Sequence, residues 1–293
     1  MRYRPLGKSS MTISALTLRL KGDRCAGNAD AWLGLIHSAF ENGINSFEVT
    51  APTTALLEGL AEAILAVERR LIFLTLRMET VVGPDEIFRE VDAFMTATRV
   101  QHVDLVVVDG DGELTNDAVW MLEDLRATGK VKRIGVAGQT DAVNRHVESG
   151  AFDMLMAPFN ILSGWRERLR VRTAVERAMS VIGSYHFPEE ARVLAEPKAV
   201  KRGWFSKPTY ALAGLGSYNF LHGTHGWAAE EICLGFSLTE PAVASVALEV
   251  DNLDHLVALA GVTERDLPSA VAAQIEMARF SAERASGAER RSA

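Results

Sequence analysis

VDLVVVD, residues 103–109, is the stretch that decides the fold. Five of its seven residues are apolar, and from Leu105 to Val108 no polar residue interrupts them. A strand with one wet face alternates apolar and polar residues, whereas a strand covered on both faces reads as a continuous β-branched run. The same signature recurs on either side: LTLRL (16–20), INSFE (44–48), RLIFLTLR (70–77), VKRIGVA (131–137), FDMLMAPF (152–159), SVIGSY (180–185) and VASVALEV (243–250). Longer amphipathic stretches separate these runs, near 29–42, 54–67, 84–98, 115–128, 166–178 and 252–260, with a shorter one after 137. Eight buried strands alternating with helices predict a closed parallel (β/α)8 barrel of the TIM type, with its functional groups at the C-terminal strand ends. RYRPLG and MTISAL, turned through residues 7–10, predict an N-terminal β-hairpin ahead of the barrel.

Residues 1–283 are read as one barrel domain, since α/β barrels routinely reach about 250 residues undivided. Residues 188–228 depart from the pattern and read as a long glycine-rich, aromatic loop of the kind that forms lids or binding segments. Residues 284–293 are small and charged and read as a flexible tail. The chain carries 31 basic against 38 acidic side chains, a net charge of −7, which argues against nucleic acid as partner. Cys25 and Cys233, far apart and outside any CxxC pair, point to a reducing cytoplasm without a disulfide framework or zinc knuckle. The first ten residues are too polar for a signal peptide, and no run of 18 apolar residues predicts a membrane span.

Several segments resemble the aldo-keto reductase family. RYRPLGKSSMTISAL is similar to its opening hairpin, and AFENGINSFEVTAP to its GINFFDTA passage with a tyrosine beyond. LRATGKVKRIGVAG is close to GKVRYIGVSN, and FDMLMAPFNIL resembles the QxxYN segment. The resemblance spans about residues 1–275 and is weakest over 188–228. It implies a barrel that transfers hydride from NADPH to a carbonyl. In that family a tyrosine donates the proton, a lysine tunes it, an aspartate holds the lysine and a histidine orients the substrate.

Carried over by position, the aspartate falls on Glu48, the tyrosine on Thr53, the lysine on Leu76 and the histidine on Asp109, none of which is the family residue. No shift of register restores the set, because no tyrosine lies between Tyr3 and Tyr185 and no lysine between Lys21 and Lys130. No histidine lies between His102 and His146. An aliphatic hydroxyl at Thr53 is a far poorer acid than a phenol, and acid–base catalysis needs a group tuned near the working pH. Arg77 adjoins Leu76, and only one of these neighbours can look into the barrel.

The positions implied for the cofactor also differ. Ala137-Gly138 replace the Ser-Asn pair and Met156 the glutamine, while Phe159 matches the aromatic that stacks on the nicotinamide. Near the phosphates stand Glu249 and Asp251. A carboxylate about 4 Å from a phosphate costs on the order of 4 kcal/mol at an effective dielectric near 20, roughly a thousandfold in affinity. No cofactor is therefore expected.

Other candidates are weaker. Glu48 and Asp109 could form an acid–base pair at the mouth, joined by His186, or could simply pair with Arg77 and cap loops. His222 and His225 have metal-like spacing without a third ligand nearby, and DGDGEL (109–114) lacks the later glutamate of a calcium loop. No metal is expected. Lys198, Lys201, Arg202 and Lys207 interleave with Trp204 and Phe205 as a local patch that could dock a protein or small-molecule partner. The reading is an aldo-keto reductase-fold protein that has lost carbonyl reduction and serves a binding, regulatory or assembly role. The alternatives are an atypical NAD(P)-dependent oxidoreductase with relocated residues such as Tyr185 or His186, and a different barrel enzyme using Glu48 and Asp109.

Overall fold

A computed structural model describes residues 1–7, 11–22, 28–80, 83–195 and 218–292, with side chains to residue 280. Strands Tyr3–Pro5 (β1) and Thr12–Ser14 (β2) pair antiparallel as the expected hairpin. Leu16–Lys21 (β3), Ser46–Thr50 (β4), Phe73–Arg77 (β5), Leu105–Asp109 (β6), Ile134–Ala137 (β7), Met154–Pro158 (β8), Ser180–Ser184 (β9) and Val243–Leu248 (β10) close into a barrel. Its parallel order is β3 through β9, then β10 back to β3. Around it lie Ala29–Glu41 (α1), Thr54–Leu65 (α2), Pro84–Thr98 (α3), Asn116–Ala127 (α4), Ala142–Ser149 (α5) and Trp165–Glu176 (α6). Glu189–Ala195 (α7), Phe220–Gly223 (α8), Ala229–Leu238 (α9), Leu253–Val262 (α10) and Ser269–Ser292 (α11) follow. Among the described residues no helix is long and apolar enough to cross a membrane.

The central stretch shows why its run is unbroken. Leu105 and Val107 point into the barrel, packing with Phe73, Met154 and Ile182, while Val106 and Val108 pack outward beneath the helices. Each face has an apolar partner, so neither needs a polar residue. The hairpin closes the N-terminal end, where Leu6 and Ile13 join that inner cluster fully or almost fully buried. Above them lies a hydroxyl layer in which Thr17 Oγ1 is 2.8 Å from Ser46 Oγ and 2.7 Å from Ser245 Oγ. The open end is the C-terminal one.

Several boundaries differ from the sequence reading. The runs at 44 and 70 begin before their ladders do, because Ile44 and Ile72 are buried beneath the helices ahead of the strand, while those at 103 and 131 begin on an isolated bridge between Val103 and Val131. Glu48 consequently sits mid-strand in β4. Residues 189–195 and 220–223, assigned to one long loop, are helical. The basic–aromatic patch at 198–207 lies outside the described residues. Helix α9 was not anticipated: Ile232, Cys233, Leu234, Gly235, Phe236 and Ser237 are all buried, so no 3.6-residue stripe marks it. Helix α11 continues to Ser292, past the boundary drawn at 283 from composition.

Asp104, the polar residue within the opening stretch, is buried just before β6. Its Oδ2 accepts from Arg69 Nη2 at 2.7 Å and from the Leu74 backbone N–H at 2.9 Å. It thereby ties the entry of β5 to that of β6. Removing it leaves the buried Leu74 N–H without its acceptor and takes the carboxylate from Arg69, which keeps only the Ile72 and His102 carbonyls. Asp104→Ala is therefore expected to cost about 2–4 kcal/mol, measured as a lowered midpoint in urea unfolding.

Candidate functional site

The mouth is organised by charge. Arg19 on β3 and Glu48 on β4 are register partners. Arg19 Nε donates to Glu48 Oε1 at 2.9 Å and Nη2 to Oε2 at 3.2 Å, a two-pronged ion pair. Glu48 has no exposed surface and Arg19 retains 8% of its side chain exposed. Arg77 Nη1 reaches Glu48 Oε1 at 3.4 Å, and Arg19 Nη1 extends to Glu249 Oε1 at 3.2 Å, just beyond β10. Met156 lies against both guanidiniums, its sulfur 3.4 Å from Arg77 and 3.9 Å from Arg19. Burial pulls the Arg19 pKa down, but the Glu48 and Glu249 carboxylates outweigh it and hold it above the ordinary arginine value. A fully buried carboxylate persists only when paired and hydrogen-bonded, and two guanidiniums with Thr50 Oγ1 at 3.5 Å meet that need.

The four positions carried over from the family separate. Only Glu48 is in this network. Thr53 is the N-cap of α2, its Oγ1 accepting from the Leu56 N–H at 3.3 Å. Leu76 packs in the outer core beneath the helices, and its neighbour Arg77 is the one that looks into the barrel. The alternation along β5 thus returns a cation to the mouth that the position-by-position transfer had placed on Leu76. Asp109 ends β6 with its Oδ1 accepting from the Asp111 N–H at 3.2 Å. Glu48 is engaged by Arg19 and Arg77 and Asp109 by its own turn, so each carboxylate has its own partners. In the DGDGEL turn, Asp111 accepts from Gln139 N at 2.7 Å and from Thr140 N and Oγ1 at 2.9 and 2.7 Å. Burial raises its pKa, but these bonds prevail and hold it below the usual aspartate range.

Phe159 is buried away from the mouth, its ring parallel to Phe236 of α9 at 6.2 Å. The aromatics at the mouth are Phe187 and Tyr185, the latter half-exposed at the end of β9 in the left-handed region at φ 52°. It lines a cavity of about 390 Å³ together with Arg19, His186, Glu230, Glu249 and His255.

His186 does not join Glu48 or Asp109; it meets Glu230, a residue the sequence reading missed. His186 Nε2 is 3.1 Å from Glu230 Oε1, and His255 Nε2 is 3.2 Å from Glu230 Oε2. His255 Nδ1 accepts from the Asp251 N–H at 3.3 Å, so neutral His255 carries its proton on Nε2 and donates it to Glu230. One carboxylate thus joins α9, the end of β9 and the start of α10. No local pattern announces such a cluster, because its members lie on three separate elements. Among the described residues no group of three or more histidine, cysteine or acidic side chains is placed to hold a metal ion.

The Aldo/keto reductase family model matches residues 17–279. In backbone the chain is similar to the aldo-keto reductase AKR11C1 from Bacillus halodurans. For the holo form the TM-score is 0.73 at 17% identity, covering 94% of this chain and 96% of that one. For the apo form it is 0.71 at 18%, covering 94% and 95%. No curated protein matches the chain in sequence.

Two outcomes follow from this geometry. Glu48→Ala leaves two guanidiniums facing each other and is expected to destabilise the fold by about 3–5 kcal/mol in denaturant unfolding. Burial raises the Glu230 pKa, but the hydrogen bond and charge of His186, then those of His255, outweigh it and hold the carboxyl below the usual glutamate range. Its contribution is therefore present above the unfolded value of about 4.3 and is lost as pH falls through the lower folded value. Unfolding of Glu230→Gln and the native chain across pH 3–7 is expected to show a stability gap that closes below about pH 4.

Proposed function

The chain belongs to the aldo/keto reductase family, and from the chemistry of its mouth we propose that it does not perform NADPH-dependent carbonyl reduction and serves a binding or regulatory role. The observation that carries this reading is the clamp of Arg19 and Arg77 on the fully buried Glu48. Family chemistry needs a carboxylate that steadies a lysine, which in turn tunes a phenol. Here the carboxylate is spent on two arginines, and the hydroxyl at the phenol's position caps α2. General acid–base assistance typically supplies about 10²–10⁴-fold, and Thr53 is not built to deliver it.

The residues do not fit NADPH either. Arg19 reaches between Glu48 and Glu249, and Glu249, Glu230 and Asp251 line the side on which the family's phosphates are expected. Of the two arginines that line this cavity among the described residues, Arg19 is already engaged by two carboxylates and Arg192 has Glu189 at 3.9 Å. The aromatic expected to stack on the nicotinamide, Phe159, packs instead on Phe236. The cavity of about 390 Å³ beside Tyr185 falls in the range that suits a small ligand, about 300–1,000 Å³. A small molecule in that cavity, or a protein docked over the rim, is the partner proposed, with the cytoplasm as the setting.

One observation favours a second reading. Tyr185 and His186 line the same cavity, and Glu230 orients the imidazole, an arrangement suited to a relocated proton donor in an oxidoreductase. Titration with NADPH and assay against a broad carbonyl panel separates the two. We expect neither quenching of tryptophan fluorescence nor turnover; turnover that is abolished by Tyr185→Phe establishes the second reading, and cofactor binding at ordinary affinity overturns the first.

A further inference from the structure

A second concave site lies outside the barrel wall. Between α2 and α3, at the C-terminal rim, a groove of about 570 Å³ is floored by Leu57, Leu76, Met78 and Phe94. It is open because α3 presents Ala93 and Ala97, one turn apart, where longer side chains would fill it. Leu76 belongs to the outer core while the Arg19–Glu48 network is inside the barrel, so the groove's floor lies behind β5, and Arg77 at the rim borders both the groove and the mouth.

The polar groups of the groove are lopsided. Glu90 on α3 and Glu79 on the loop after β5 both line it. Its one basic residue is Arg77, whose Nη1 is turned to Glu48. Glu79 has Lys21 at 3.8 Å. Glu90, exposed at the groove's edge, has no cation within ion-pair distance among the described residues, and partial burial of its carboxyl, with Glu86 one turn away, holds it above the usual glutamate range. An apolar floor with an unmatched carboxylate at its edge is complementary to an apolar molecule that carries one positive charge.

We propose that the α2–α3 groove is a binding site for a small amphipathic amine. Its alkyl chain lies on Leu57, Leu76 and Phe94, and its ammonium group meets Glu90, with Glu79 on the opposite side. An ammonium ion supplies the positive charge that Glu90 has no partner for among the described residues, and the tail removes apolar surface from water at about 25 cal/mol per Å². This assignment is independent of whether the mouth binds a cofactor.

The test is calorimetric titration of the full chain with octylammonium chloride at neutral pH, beside octanoate and 1-octanol. We expect one saturable site with a Kd below about 1 mM, and binding at least about tenfold weaker for octanoate and octanol, which lack the charge Glu90 selects. Glu90→Gln is expected to weaken octylammonium about tenfold. Ala97→Trp, which fills the groove from an exposed helix position, is expected to abolish binding while far-UV circular dichroism stays unchanged; Ala93→Phe serves as a second filling variant should Ala97→Trp not fold. Octanoate binding as tightly as octylammonium, unchanged binding to a folded groove-filled variant, or the absence of saturable binding up to about 10 mM would each overturn the proposal.

Discussion

A carboxylate with no solvent exposure has to be neutralised by its neighbours, and at Glu48 that requirement constrains the whole upper barrel. Arg19 meets it only because β3 and β4 pair with those two residues opposite each other. A slip of β4 by one residue would turn Glu48 to the other face, placing its charge under the helices and leaving Arg19 without its partner. Arg77 meets it only because β5 follows in a register that pairs it with Thr50. Glu249 reaches Arg19 only because β10 returns to β3 and closes the circle. The ion pairs therefore demand a closed barrel in one register, whether or not they add net stability over an apolar filling.

The same pairs also decide what the mouth can do. Guanidinium groups that bridge carboxylates are poor proton donors at neutral pH, and once engaged they offer little positive potential to a phosphate. The mouth's histidines lie at the end of β9 and the start of α10, where Glu230 holds His186 and His255. That cluster depends on α9, a helix buried on nearly every side, which carries Glu230 at its first turn. The mouth is thus divided into a locked half built on β3–β5 and a titratable half built on β9, α9 and the start of α10.

Much of this architecture is legible along the chain. Unbroken runs such as Leu105–Val108 announce strands covered on both faces, and eight of them with intervening helices leave few alternatives to a closed barrel. The absence of a tyrosine, lysine and histidine over long spans is likewise a property of the chain alone. Strand ends were less legible, because Ile44 and Ile72 are buried for the sake of helix packing and look like strand residues before the ladder begins.

The sequence by itself determined the fold class, the hairpin and the replacement of the family's reacting groups, since periodicity and residue type are local facts. Only the tertiary structure decided that Arg77 and not Leu76 faces inward, that Thr53 caps a helix, that Phe159 belongs to the outer core, and that Glu230 gathers two histidines. The physical reason is the same in each case. Which face a side chain takes depends on register, and which partner it meets depends on elements brought together only when the barrel closes.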